Sequence, residues 1–260
     1  MDSGSLNLSI RGNARVTGLG RALLTNKLAQ VGELVGVFVV ALIVIMGVGP
    51  LVGENPIARQ GVVWVANVLM LVTVWLGLRL RGQGWEHFGL SLRLASRRTI
   101  IRAVWMSLVV FVAALAAFVV GAIVMANILG MPEGADMSGY NYLRGNLPML
   151  ILTLVGVYIV ASFGEEVIYR GFLINRIAEL GSGGKAAWRL AVVISAVVFG
   201  LVHFDWGLFG MVETGFMGLA LGVSYLVVKR NLWVMILAHG YMDTILMLQM
   251  YFAPGQGVAE

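Results

Sequence analysis

Apolar residues in this chain come in long blocks, with polar residues gathered between them. A helix that crosses a membrane needs about 20 mostly apolar residues. Seven blocks approach or exceed that length, at about 32–52, 60–80, 101–129, 147–164, 187–204, 208–228 and 231–253. The first carries no charge from Phe38 to Val48. The third is long enough to tilt or to break in two, which would make eight. The fourth runs into Glu165–Arg170 and is expected to continue as a helix to about Leu180. The pattern predicts an all-α, polytopic membrane helix bundle of about seven to eight transmembrane helices. It divides the chain into a cytoplasmic tail 1–30, N-terminal transmembrane helices 31–146, a helical core 147–253 and a C-terminal tail 254–260. The first block lacks a small-residue cleavage site and reads as a retained helix.

Composition sharpens this reading. Of 260 residues 59% are hydrophobic and only 12% charged, against about 25% charged in a soluble domain. That balance excludes a soluble enzyme, a disordered chain and a nucleic-acid-binding domain. The net charge of +5 comes from basic loops, which suit an anionic bilayer surface. There is no cysteine, so disulfides and thiolate metal sites are excluded. Arg79, Arg81, Arg93, Arg97, Arg98 and Arg102 flank one loop, and Glu133, Asp136 and Arg144 lie in the next. Arg176, Lys185 and Arg189 fall together, as do Lys229 and Arg230. Alternation of these sides puts the N-terminus in the cytoplasm. Gly218 and Gly222 form a GxxxG pattern, read as packing within the chain before dimerisation. Trp85, Tyr140, Tyr142 and Trp233, near block ends, read as interfacial anchors.

Ionisable residues inside the blocks carry the chemistry, because each is costly unless paired or hydrated. They are Glu33, Glu165, Glu166, Arg170, His203, Glu213, His239 and Asp243. In Glu165–Arg170, Glu166 and Arg170 are four apart in the favourable acid-first order and can neutralise each other. Glu165 is turned away from that pair and is suited to act as a general base; the bland reading is an ion cluster capping the block. His203 ends the run Phe199–His203 and reads as a site residue or as a histidine at the interface. His239 and Asp243 lie one helical turn apart. They read as an internal hydrogen bond, as metal ligands, or as groups facing developing negative charge. Glu213 is either a third carboxylate at the site or a helix-start residue favoured by the dipole. His87, in a loop, reads as a surface or interface residue.

Glu-Glu-x-x-x-Arg, then Phe-x-x-x-His, then His-x-x-x-Asp, each in its own apolar block, resembles the CPBP family. These are the CAAX proteases and bacteriocin-processing (Abi) proteins, which include the type II CAAX prenyl endopeptidase, or Ras-converting enzyme. The likeness covers about residues 147–250, including Arg170-Gly171-Phe172-Leu173, Phe199-Gly200-Leu201 and Leu237-Ala238-His239. It implies a membrane-embedded, glutamate-dependent endopeptidase, with the core 147–253 as its catalytic part. Glu165 and His203 would activate a water, and His239 and Asp243 would stabilise the oxyanion. Glu166 and Arg170 would hold the helix geometry, and Phe199 would support the site. The prenyl endopeptidases usually carry Asn where this chain has Asp243. An ionised Asp cannot donate a hydrogen bond, so Asp243 would be protonated or would orient His239 as a protonated donor.

The resemblance also implies an integral protein of the bacterial cytoplasmic membrane. Its partners would be the bilayer and a membrane-associated peptide or protein tail as substrate. The expected mechanism uses no cofactor and no metal. A zinc site of Glu165, His203 and His239 is the alternative, although the chain has no His-Glu-x-x-His motif. Two other functions compete: a non-proteolytic membrane scaffold or bacteriocin-immunity protein, and a proton-coupled transporter using Glu33, Glu213 and Asp243.

Overall fold

The computed structural model describes residues 16–91, 96–130 and 137–253. The first half of the expected tail 1–30, the whole tail 254–260, and Arg11, Arg15, Arg93, Glu133 and Asp136 lie outside the described residues. Every regular element within them is helical: α1 (Gly18–Thr25), α2 (Lys27–Val48), α3 (Pro56–Leu80), α4 (Arg97–Leu129), α5 (Leu147–Gly156), α6 (Ile174–Leu180), α7 (Lys185–Leu201), α8 (Gly207–Val227) and α9 (Leu232–Phe252). Each apolar block is matched by one of the long helices. The chain is an all-α polytopic bundle.

The helix starts follow from local chemistry. Side chains of Asn26, Asn55, Ser96 and Asn146 accept hydrogen bonds from the first free backbone N–H groups of α2, α3, α4 and α5, as good N-caps do. Proline opens α3 and α5, where its missing N–H is harmless. Helix α4 runs unbroken for 33 residues, about 50 Å at 1.5 Å per residue. That exceeds a hydrocarbon core of about 30 Å, so the third block makes one overlong helix.

The fourth block continues to Leu180, as its sequence suggested, but not as one uniform α-helix. Between α5 and α6, Val157–Leu173 winds as a π-helix, and the Ile174 N–H bonds back to the Tyr169 carbonyl. The i→i+5 winding is rare and concentrates at functional sites. Glu165, Glu166 and Arg170 all lie on it. Among the described residues six helices are long and apolar enough to cross a membrane, with the stretch Leu147–Leu180 counted as one. The 17-residue α7 is a shorter seventh, about 25 Å long.

The bundle is apolar on its outside. Ile43, Met46, Val109, Ile128 and Val227 are all exposed, the inverse of a soluble protein and the natural state of a lipid-facing surface. Helix α2 buries little besides Val37. The centre holds Phe88, Phe172, Phe199, Leu221, Tyr225 and Leu232, all fully buried. Gly218 and Gly222 sit where α8 meets α7. A Cβ on Gly218 would stand 3.0 Å from the Phe199 ring, and one on Gly222 2.9 Å from Val192. The GxxxG pattern therefore packs helices within this chain, with small residues allowing close approach.

Several residues first read as loop charges or isolated acids form a buried network. Arg81 forms an ion pair with Glu33 through both of its terminal nitrogens, one at 2.6 Å from Oε2, and donates to the Leu23 carbonyl at 3.2 Å. Arg176 donates to Glu179 at 2.7 Å and to Gln83 at 2.8 Å. It approaches Glu33 at 3.9 Å. His87 contacts Glu179 at 2.7 Å, so it is a network residue. Arg81 and Arg176 are nearly inaccessible, and the network ties α2, α3 and the loop after α3 to α6. Glu33 is held by two arginines, which removes the main reason to treat it as a transport carboxylate. Removing one member of a buried pair strands the other charge, at a cost of about 3–5 kcal/mol. Glu33→Ala is expected to destabilise the detergent-solubilised protein by that order, read as a fall in the thermal unfolding midpoint.

Candidate active site

The π-helical segment, the end of α7 and the middle of α9 bring the three motifs together. Glu166 is fully buried. Its Oε1 accepts from Arg170 Nη1 at 2.7 Å and also faces His239 Nδ1 at 2.8 Å. A carboxylate only accepts, so His239 carries its proton at Nδ1 on this side. Arg170 also donates through Nη2 to the Gly218 carbonyl at 3.3 Å. Its guanidinium lies over the Phe199 ring at 4.4 Å, a favourable cation–π contact when desolvated. Glu166 and Arg170 thus form the expected pair, and Phe199 is its floor. The link from Glu166 to His239 was not expected from the sequence.

Along α9, His239 Nε2 stands 3.6 Å from Asp243 Oδ1. That is too long for a hydrogen bond, so the expected satisfied His–Asp bond is not formed. The other oxygen of Asp243 accepts from Ser162 Oγ at 3.0 Å. Ser162 lies one turn before the Glu-Glu pair and is completely buried. Nothing in its local sequence marks it out, because a serine in an apolar block reads as a packing residue.

His203 lies just past the end of α7. Its Nδ1 is 2.7 Å from the Phe199 carbonyl. A carbonyl only accepts, so the proton sits on Nδ1, and Nε2 keeps its lone pair. The ring packs 4.8 Å from Phe199 and 5.1 Å from Trp206, while Phe199 also makes an edge contact with His239 at 6.0 Å. Phe199 is therefore wedged between the two histidines. His203 sits where the chain turns into Phe204–Trp206, at the end of a helix shorter than the hydrocarbon core.

Glu165 is half-buried. It makes no hydrogen bond or ion pair among the described residues, in contrast to its neighbour Glu166. His239, Asp243, Glu166 and Arg170 are its charged neighbours. Glu213 is elsewhere: it faces α4, its backbone 2.9 Å from the position of a Cβ on Gly121. No hydrogen bond or ion pair joins it to the cluster among the described residues. The short segment Ser138–Leu143, before α5, closes over this end of the bundle. Tyr140 packs with Leu143, Leu150, Val157 and Met247, and its phenol has Asp243, Glu165 and Trp206 as neighbours. Its sequence position suggested only an interfacial anchor. Among the described residues, no group of three His, Asp or Glu side chains is arranged to hold a metal ion.

Fold and site together define an integral membrane protein with a cluster of charged and polar side chains inside its helix bundle. Residues 147–245 match the family model described as type II CAAX prenyl endopeptidase Rce1-like. The match begins at the first residue of α5 and ends two residues past Asp243. Helices α1–α4 lie outside it. No curated protein and no solved structure matches the chain. The matched family is named for an endopeptidase, and the chain's long apolar helices are those of a membrane protein.

Glu166→Gln replaces the carboxylate that both Arg170 and His239 share. The expected result is a destabilisation of about 3–5 kcal/mol, measured by thermal unfolding. A midpoint unchanged from the parent protein would show that the buried cations have other compensation.

Proposed function

We propose that this chain is a glutamate-dependent intramembrane endopeptidase, with Glu165 as general base, His203 as the group that holds the attacking water, and His239 with Asp243 at the oxyanion. The observation that carries this reading is the contrast between adjacent carboxylates. One oxygen of Glu166 is held by both Arg170 and His239, whereas Glu165 makes no hydrogen bond or ion pair among the described residues, is half-buried and has the same histidine as a charged neighbour. A general base has to be unengaged and within reach of a water.

In the reaction, the His203 Nε2 lone pair accepts one water proton as a hydrogen bond. Glu165 removes a proton as the water oxygen bonds to the peptide carbonyl carbon. The carbonyl π electrons move to oxygen and form the oxyanion. That proton then passes to the amide nitrogen, the C–N bond breaks, and a carboxylic acid and an amine leave. His239 carries Nδ1–H towards Glu166 and Nε2–H into the site, where 3.6 Å to Asp243 leaves the N–H able to turn to the oxyanion. Asp243, held by Ser162, orients His239 in this scheme and does not itself donate. Neither a metal nor another cofactor enters it. The histidine nitrogens that face the protein are already committed, and the free ones serve water and substrate.

The matched family's name points to a prenylated protein tail, but the substrate sought here is any membrane-associated peptide. The test uses the full chain in liposomes with a quenched-fluorescent peptide ending in a CAAX box, offered with and without a farnesyl group. Glu165→Ala and His203→Ala are each expected to abolish cleavage while the unfolding midpoint stays near that of the parent. Cleavage that survives either change would refute the assignment. Chelator treatment is expected to leave the rate intact; complete loss restored by zinc would replace this mechanism with a zinc-dependent one using Glu165, His203 and His239.

A further inference from the structure

The bundle has two chemically different ends. At one of them hydrogen bonds draw distant stretches together. Arg81 donates to the Leu23 carbonyl at 3.2 Å, Arg176 to Gln83 at 2.8 Å and Arg230 to Asn175 at 2.8 Å. The Trp233 indole donates to the Ser91 carbonyl at 2.8 Å. The starts of α2, α7 and α9 and the ends of α3, α6 and α8 therefore share this end, and Lys27, Arg79, Lys185, Arg189, Lys229 and Arg230 stand on it. The other end joins the start of α5 to the end of α9, where the Gly145 N–H donates to the Tyr251 carbonyl at 3.0 Å. Among the described residues its basic side chains are Arg59 and Arg144 alone, with the acids Glu54 and Asp205. Lysine and arginine in short loops mark the cytoplasmic side of a membrane protein. By that rule the basic end is the cytoplasmic one.

The site is closed towards the basic end and polar towards the other. Below Glu166 and Arg170, on the basic side, Phe88, Phe172, Ile174 and Leu232 are fully buried. The polar groups among them are spent on one another: Asn175 donates to the Tyr225 hydroxyl at 2.9 Å, and Tyr225 donates to the Phe88 carbonyl at 2.8 Å. In the opposite direction the π-helical segment and α9 are joined by three polar pairs in succession. They are Glu166 with His239 at 2.8 Å, Ser162 with Asp243 at 3.0 Å and Tyr158 with Thr244 at 3.0 Å. Each pair lies nearer Leu147 on one helix, and the second and third lie nearer Phe252 on the other. Side-chain exposure rises along the same line, from 0% at Glu166 and 4% at His239 to 21% at Asp243. Tyr158 and Thr244 are half-buried. His203 stands at the far end of α7, and the chain after it, at Phe204 and Asp205, is exposed. A peptide entering a bilayer needs partners for its backbone N–H and C=O groups, and hydroxyls of this kind provide them.

We propose that the site opens on the face away from the basic end, outside the cytoplasm, and that its substrate is a polypeptide segment presented from that side. Water and the peptide reach Glu165 and His203 along the Tyr158–Thr244 side of the bundle. The buried layer around Phe88 and Phe172 keeps the cytoplasm from the same groups. The substrate class rests on the peptidase reading above; the direction of opening does not.

The chain has no cysteine, so a single introduced thiol is the sole target of a thiol reagent. Thr244→Cys, Asp205→Cys and Lys185→Cys are each made in the full chain and expressed in a bacterial host. Sealed spheroplasts and inside-out vesicles are then treated with a charged, membrane-impermeant methanethiosulfonate. The thiols at 244 and 205 are expected to react in spheroplasts and not in inside-out vesicles, and the thiol at 185 the reverse. Reaction at 205 or 244 from the cytoplasmic side, or no reaction at 244 from either side, overturns the proposed opening. In parallel, the unfarnesylated quenched-fluorescent peptide is offered to both preparations of the parent protein. Glu165-dependent cleavage is expected by spheroplasts and is expected to be lost in inside-out vesicles until detergent opens them. Cleavage by sealed inside-out vesicles alone overturns the substrate class and leaves the peptidase reading standing. Absence of Glu165-dependent cleavage in both, even in detergent, overturns the peptidase reading and the substrate class with it, while the thiol reactions still decide which way the site opens.

Discussion

One carboxylate inside the membrane, that of Glu166, holds the arrangement together. A single oxygen takes both Arg170 and His239, and each of those partners reaches a further element. Arg170 caps the α8 carbonyl of Gly218 and lies over Phe199 of α7; His239 belongs to α9. Four segments of the bundle thus meet at one buried charge. In a medium with no water to take over, a charge left unpaired there is expensive. The relative positions of the π-helical segment, α7, α8 and α9 are consequently fixed by electrostatics as much as by side-chain packing.

The same pairing separates two neighbours in sequence. Glu166 has Oε1 fixed by Arg170 and His239, with Oε2 buried and without a hydrogen-bond partner among the described residues, and Glu165 has no hydrogen bond or ion pair among them. The histidines divide in a similar way. Each has its Nδ1 committed, to Glu166 for His239 and to the Phe199 carbonyl for His203, and each keeps Nε2 outside those bonds. Local bonding therefore fixes which nitrogen of each ring is available. Phe199, between the two rings and under the guanidinium, keeps all three cationic or polar groups at a set spacing without offering a polar atom from its own side chain.

Much of this was legible in the chain because apolar blocks and caps are local signals. Seven blocks gave seven long helices, and the continuation of the fourth to Leu180 followed from its helical spacing through the charged stretch. Glu166 with Arg170 could be paired from a spacing of four. What escaped was long-range or conformational. Arg81 meets Glu33 across 48 positions, and nothing local distinguishes such an arginine from one in a loop. The π winding of Val157–Leu173 leaves no period that a block of apolar residues displays. Ser162 and Tyr140 sit among residues chosen for packing or for the interface, and only the approach of α9 gives them polar neighbours. Glu213 looked like a site residue because it follows His203 closely in sequence, yet the turn at Phe204–Trp206 sends α8 off so that this position faces α4.

The shortness of α7 has a consequence for the surrounding lipid. A 17-residue helix spans about 25 Å, and Leu201, Val202 and Phe204 at its far end are exposed to the outside of the bundle. A bilayer meets such mismatch by thinning locally, at fractions of a kcal/mol per Å. Headgroups and their water are then drawn down on the flank next to His203, while the overlong α4 on another flank favours thicker lipid. The protein is in this sense wedge-shaped towards its solvent, with the hydration front dipping on the side where the polar cluster lies nearest the rim.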